Sequence, residues 1–160
     1  MLFIEPLTEQ HTNAVEQIVL APHQVKYCGT VSEFLSDKCP TTHRFVITYQ
    51  EAVVGFFKLD TRYQKHYDFC PPNALGLRAV AIDHRHQNQG LGKQMLAVLF
   101  DYLGRHYHQF DRLFLTVNCN NSQARACYLN SGFVDFGAKY YGGAAGPQDI
   151  MFKPLFSSHL

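Results

Sequence analysis

The stretch Ala74–Phe100, ALGLRAVAIDHRHQNQGLGKQMLAVLF, decides how the rest of the chain is read. From Leu77 to Ile82 it is an apolar run broken only by Arg78, as a strand covered on both faces reads. A short polar turn follows. Then Gln87-Asn88-Gln89-Gly90-Leu91-Gly92-Lys93 opens a helical pattern with Leu91, Met95, Leu96, Leu99 and Leu103 at three-to-four spacing. Strand, glycine turn and helix in this order make an anion cradle. Gly90 and Gly92 have no Cβ to hold a ligand off the backbone, and the first N–H groups of the helix point outward at the positive end of its dipole.

Spelling sets aside two common anion loops. A dinucleotide fingerprint needs a third glycine where this chain has Met95, and a Walker loop needs Gly-Lys-Ser/Thr after four spacers, which is not found here. What matches is Gln-x-x-Gly-x-Gly at Gln87, Gly90 and Gly92. Here the chain resembles the GNAT superfamily of acetyl-CoA-dependent N-acetyltransferases, in which this turn binds the pyrophosphate of the coenzyme. Downstream, Leu113–Val117 reads as a second apolar strand, followed by Asn118-Cys119-Asn120-Asn121-Ser122 and a short helix ending at Ser131-Gly132-Phe133. The run Asn121-x-x-Ala124-x-x-x-Tyr128-x-x-x-Gly132-Phe133 is similar to the second half of the GNAT coenzyme site, in order and spacing. Asn121 or Ser122 suits an N-cap and Gly132 a left-handed C-terminal residue.

The resemblance implies an α/β (α+β) fold with a central mixed, largely antiparallel sheet flanked by helices. It also implies acetyl-CoA as cosubstrate and an amine as acceptor. By the same resemblance, the backbone of Val80, Ala81 and Ile82 pairs with the pantetheine arm, and one of its N–H groups faces the thioester oxygen. The amides of Gln87, Asn88, Gln89, Gly90, Leu91, Gly92 and Lys93 hold the pyrophosphate, with Lys93 as an added point charge. Asn121 fixes the coenzyme where the central strands part. Tyr128 is the candidate catalytic acid for the departing thiolate; a core tyrosine that steadies its helix is the other reading. A phenol near pKa 10 protonating a thiolate whose acid is near 8.5 runs uphill by about 2 kcal/mol, so the step needs concerted proton flow or a depressed phenol pKa.

No base is legible. Family members place a carboxylate or histidine where this chain has Gly76, Arg78 and Thr116, none of which accepts a proton. Arg78 there would repel a cationic acceptor unless it faces away. Against that, Ile82-Asp83-x-Arg85-x-Gln87 and Leu20–Gln24 bear a faint resemblance to the polyamine acetyltransferase branch. Cys119 and Cys127 raise an acetyl-cysteine intermediate as a further route, although neither has an activating base beside it in sequence. The missing base motivates an alternative: a non-catalytic acyl-CoA-binding module with the cradle but no chemistry. A structural or interaction domain that binds no coenzyme is the third reading.

Composition narrows the partners. The 160 residues, 46% of them hydrophobic, suit a single N-acetyltransferase domain over residues 1–160. Fourteen Lys plus Arg against thirteen Asp plus Glu leave a formal charge of +1, which advertises no nucleic-acid face. Five cysteines without paired short spacing argue for a reducing, cytoplasmic setting and against structural zinc. His84 and His86 read as solvated loop, so no metal site is expected. No apolar run is long enough for a membrane span, and the first residues lack a signal peptide's order. A homodimer is compatible with this reading.

Outside the central stretch, Leu2–Leu7 reads as a strand. Thr8 caps a helix with Ala14, Val15, Ile18 and Val19 on its apolar face, ended by Pro22. A second helical segment spans Leu20–Gln24 and Thr30–Leu35, with Thr30 and Glu33 in capping-box spacing. Arg44–Tyr49 and Val53–Leu59 form a hairpin with Gly55 at a bulge, and Tyr63–Pro72 is a loop. Phe133–Phe136 and Asp149–Pro154 close the sheet. Their glycine-rich tip, with Tyr140 and Tyr141, is either a lid over the acceptor or an ordinary hairpin end.

Overall fold

The computed structural model describes residues 1–155. In chain order the elements begin with β1 (Leu2–Pro6), a 3-10 turn (Glu9–His11), α1 (Thr12–Glu16), α2 (Pro22–Cys28) and α3 (Val31–Ser36). There follow β2 (Thr42–Tyr49), β3 (Ala52–Asp60), α4 (Tyr63–His66), β4 (Ala74–Ile82), a 3-10 turn (His84–His86) and α5 (Leu91–His106). β5 (Arg112–Asn118), α6 (Ser122–Asn130), β6 (Val134–Tyr140) and β7 (Gln148–Pro154) complete the described chain. The strands form one sheet in the order β1-β2-β3-β4-β5-β7-β6. Every neighbouring pair is antiparallel except β4 with β5, which is parallel.

Alternation of side chains along the central strands feeds two cores. Phe45, Ile47, Phe57, Leu59, Leu75 and Leu77 meet the buried stripe of α5, Leu91, Met95, Leu96, Leu99 and Leu103. Val46, Phe56 and Ala81 pack instead with Val15, Ile18 and Phe34. This is the period-two rule of strands. It also explains why β4 reads as an unbroken apolar run: both its faces are covered.

Three local expectations need correction. Pro22 opens a helix rather than ending one; at the first position of α2 its missing N–H costs nothing and its fixed φ suits the helix. The segment expected as one long helix pair is therefore three short helices, and Ala14 and Val19 are exposed while Val15 and Ile18 are buried. The expected loop Tyr63–Pro72 contains α4, and Tyr63 is buried in a third cluster with Cys70, Ala74, Phe114 and Ile150. Gly55 sits beside a bulge, because Ile47 pairs with Gly55 and Thr48 with Val53, skipping Val54. Its bare Cα has a further reason: a Cβ there would run into the Ala81 carbonyl oxygen. The β2–β3 hairpin turns through Gln50 and Glu51 at φ 51° and 67°, a primed-type turn built without glycine.

Two irregularities of β4 place the site. Phe56 pairs with Ala81 and Lys58 with Arg78, so Phe57 faces two residues, Ala79 and Val80, and Ala79 has φ 54°. A non-glycine residue in that region costs about 1–2 kcal/mol, and such bulges recur beside active sites. On the other edge, β4 and β5 pair only over Ala74–Arg112, Leu75–Leu113 and Gly76–Phe114. Beyond Gly76 the strands part.

Candidate active site

Where β4 and β5 diverge, the edge of Leu77–Ile82 toward β5 has no partner strand, which leaves backbone groups free for an extended ligand. Two hollows open there, of about 400 and 480 Å³. Both are lined by Tyr27, Cys28, Val80, Asn121, Ala124 and Tyr128, so they join into one channel through the splay.

One end of the channel, lined by the glycine turn, is where the sequence reading expects the anion. Gln87, Asn88, Gly90, Leu91, Gly92 and Lys93 all line it, while Gln89 does not. Among the described residues, none of the backbone N–H groups from Asn88 to Lys93 donates to a protein acceptor; the first inward bond of α5 runs from the Gln94 N–H to the Gly90 carbonyl. Gly90 takes the left-handed φ of 75° and Asn88 φ 63°, which is what lets consecutive amides face one hollow. A Cβ on Gly90 would meet nothing within 4 Å, and one on Gly92 would lie 3.5 Å from Cys127 Sγ, an ordinary contact. These glycines therefore clear space the protein itself does not fill, which fits the pyrophosphate of a coenzyme. Gln87 Nε2 and Gln24 Nε2 both donate to the Ile82 carbonyl, at 3.1 and 2.7 Å. The Gln87 side chain thus ties the turn to β4, and of the expected pantetheine contacts the Ile82 carbonyl is already occupied. Asp83 braces the same corner. Burial alone would raise its pKa, but the Arg85 side chain and the N–H groups of Arg85 and Val19 outweigh that and lower it to about 2.

Tyr128 stands at the junction. It packs edge-on to Phe133 at 5.4 Å between centroids, and among the described residues its hydroxyl has no hydrogen-bond partner. Burial pushes the phenol well above its ordinary pKa, with the Cys127 and Cys28 thiols adding to the shift. This direction runs against the depressed phenol pKa that the sequence reading offers as one route for an acid role. Asn121 caps α6 through Oδ1, which accepts from the Ala124 N–H at 3.4 Å. Ala81 is buried and Val80 lines both hollows. The cysteine route weakens: burial raises the pKa of Cys127, against the pull of Lys93, which disfavours the thiolate a nucleophile needs. Cys119 lies outside both hollows, 3.4 Å from Lys139 Nζ and 3.6 Å from Asp149.

The other end is walled by side chains that the sequence did not single out: Tyr27, Glu33, Lys58, Tyr63 and Tyr67, together with Arg78 and Thr116. Glu33 closes the capping box of α3: its Oε1 accepts from the Thr30 N–H, and its own N–H donates to Thr30 Oγ1. These bonds, backbone first, and the Lys58 charge lower its pKa. The Thr30–Glu33 spacing was legible, but only as a helix start. The β6–β7 tip supplies Ala144 and Ala145 to the wall, fastened by Asn118 Nδ2 to the Ala145 carbonyl at 2.7 Å and by the Cys119 N–H to the Pro147 carbonyl at 3.0 Å.

With this geometry in view, comparison with known proteins decides the family. The sequence model of the Acetyltransferase (GNAT) family matches residues 10–133. The chain belongs to the GNAT family. This GNAT protein is 27% identical over 157 residues to the spermine/spermidine N(1)-acetyltransferase of Bacillus subtilis (strain 168), covering 95% of this chain and 97% of that one. It is 25% identical over 136 residues to an uncharacterized N-acetyltransferase, YbbJ, of the same organism, covering 83% and 85%. Its fold matches the crystal structure of aminoglycoside acetyltransferase AAC(6')-Ib in complex with coenzyme A, with a TM-score of 0.78, 15% identity and coverage of 96% and 95%. The GNAT protein is an acetyl-CoA-dependent N-acetyltransferase, and the non-catalytic alternative finds no support among these relatives.

Proposed function

We propose that this GNAT enzyme acetylates an amine that enters between α2, α3 and the parted strands, and that Tyr128 protonates the leaving thiolate. The observation that carries the reading is the single channel, with Tyr128 and Val80 where its two ends join. Bound acetyl-CoA would supply the activated acyl group. The protein's own parts then have distinct tasks. The amides from Gln87 to Lys93 take the pyrophosphate, Lys93 adds a point charge, and Asn121 steadies the arm. The edge of Val80, Ala81 and Ile82, less the Ile82 carbonyl held by Gln24 and Gln87, aligns the pantetheine, and an N–H of that edge faces the thioester oxygen as it gains charge. Tyr128 keeps its proton until sulfur departs, so its transfer is concerted with bond breaking.

The amine must arrive neutral. An alkylammonium near pKa 10.4 is about 3.4 units above neutral pH, a cost of roughly 4.6 kcal/mol. Glu33 is the only carboxylate lining the acceptor end among the described residues, and we assign it the proton, relayed by water. The protein is read as one domain that works in the cytoplasm with a small-molecule or peptide amine, without nucleic acid or membrane. Among the described residues no helix is long and apolar enough to cross a membrane, and all five cysteines are free.

The test is release of CoA thiol from acetyl-CoA with a mixed amine panel. Amine-dependent thiol release is expected. Coenzyme binding with no release for any amine would turn the reading into that of a binding module.

A further inference from the structure

Lys58 and Arg78 stand directly opposite each other in the β3–β4 ladder, and both line the acceptor end of the channel. Directly opposed residues leave a sheet on the same face, where like charges repel and weaken the pair. Each cation has one carboxylate behind it: Lys58 Nζ lies 2.8 Å from Asp37 Oδ2, and Arg78 Nη1 lies 3.2 Å from Asp60 Oδ2. Asp60 is fully buried and also receives the Arg62 N–H and bonds His66 Nδ1. It anchors the guanidinium by one nitrogen. The Nε and Nη2 edge of Arg78 has no acceptor among the described residues, and the side chain is 39% exposed. Such an edge is a planar fork that matches a carboxylate in two parallel hydrogen bonds.

We propose that the acceptor is a primary amine that also carries a carboxylate, an amino acid or a compound of that chemistry, held by Arg78 with Lys58 beside it. The inference rests on reading this end of the channel as the acceptor site. An incoming carboxylate fills the open guanidinium edge and adds negative charge between the two cations, whereas a polycation meets Lys26, Lys58 and Arg78 on a wall whose one lining carboxylate is Glu33, with Asp37 and Asp60 already engaged behind Lys58 and Arg78. Arg78 precedes Val80, where the two ends of the channel join, by only two residues, across the bulge at Ala79. Amine and acid are therefore separated by a short spacer. This specificity differs from the spermine and spermidine named for the 27%-identical relative.

The experiment compares matched pairs as acceptors: phenylalanine with phenethylamine, lysine with cadaverine, γ-aminobutyrate with propylamine, and spermidine as the polycation. CoA thiol release gives kcat/KM for each. At least a tenfold preference for the acid-bearing member of one or more pairs, and for that member over spermidine, is expected. In Arg78→Lys, which keeps the charge and can still reach Asp60, the preference should shrink at least fivefold through KM, with kcat changed less than twofold. Equal or better use of phenethylamine, cadaverine, propylamine or spermidine overturns the proposal, as does an undiminished preference in Arg78→Lys. If no amine releases thiol, the enzymatic reading fails, and binding decides this one separately. The thermal midpoint of the CoA-saturated protein should rise with phenylalanine, lysine or γ-aminobutyrate and not with the partner amines. Equal shifts, or none, overturn the proposal.

Discussion

The two ends of the channel are walled by different material. At the anion end the wall is main chain: the free N–H groups from Asn88 to Lys93, set by two left-handed residues and opening one helix. At the acceptor end it is side chains from separate places in the chain, Tyr27 of α2, Glu33 of α3, Lys58 of β3, Tyr63 of α4 and Arg78 of β4. Pyrophosphate is the same in every acetyl-CoA, so on the proposed reading amides fixed by one turn would suffice to hold it. Acceptors differ, and a wall of side chains varies residue by residue over an unchanged frame. The glycines show the contrast. Gly92 leaves room for a ligand, while Gly76 leaves room for the protein, since a Cβ there would collide with the Tyr63 ring.

Gly76→Ala is accordingly the largest expected effect. Tyr63 is 1% exposed and wedged against Tyr67 and Phe69, so it can yield only by breaking that aromatic packing and moving into the hollow it walls. Overpacking of this kind costs on the order of 3 kcal/mol, which for a domain of this size lowers the thermal midpoint by roughly 6–12 °C. An unchanged midpoint would mean that Tyr63 is not fixed and that the acceptor wall is softer than its packing indicates.

This pair of glycines also marks what the sequence could disclose. The anion end is local: Gln87, Gly90 and Gly92 lie within six residues, so strand, turn and helix could be read from one window. The seven strands were legible because their periodicity is local too. The acceptor wall is not. Glu33 and Arg78 are 45 positions apart in the sequence and line one hollow only because the fold brings α3 and β4 to the same wall. Tyr63 looked like a loop residue because its burial comes from Ala74, Phe114 and Ile150, contributed by three strands. Pro22 misled because proline ends a helix and begins one equally well.

Tyr128→Phe follows in size and joins the two ends. It keeps the ring against Phe133 and removes only the proton donor. Turnover should fall roughly ten- to a thousandfold, with acetyl-CoA affinity changed by less than about threefold. Because burial raises the phenol pKa, the donor is fully protonated below its ordinary pKa of about 10. Wild-type kcat should therefore show no alkaline fall from this group up to that pH. A hydroxyl without a catalytic task, having no protein hydrogen bond to lose among the described residues, would leave turnover nearly intact on removal.

Gly92→Val turns the comparison round. The new Cβ makes ordinary contact with Cys127 Sγ, and valine is no worse than glycine within a helix, so the thermal midpoint of the free protein should hold or rise slightly. The γ-carbons then stand in the anion hollow. Affinity for acetyl-CoA, measured by calorimetry, should drop roughly 5- to 150-fold, equivalent to about 1–3 kcal/mol. Unaltered affinity would detach the coenzyme from this turn.

The smallest effect is expected from Lys93→Ala. Lys93 is exposed at the mouth of the anion hollow, close enough to Cys127 to oppose the rise of its pKa. If backbone amides carry the pyrophosphate, one screened ammonium adds about 1 kcal/mol or less, and affinity should fall no more than roughly fivefold. The loss should also shrink as salt rises, because a charge in water is screened within about 10 Å at 0.1 M ionic strength. Titrations of wild type and variant at low and high salt separate the two contributions. A salt-insensitive loss of several kcal/mol would assign the anion to the lysine, and the anion end would then be a side-chain site like its counterpart.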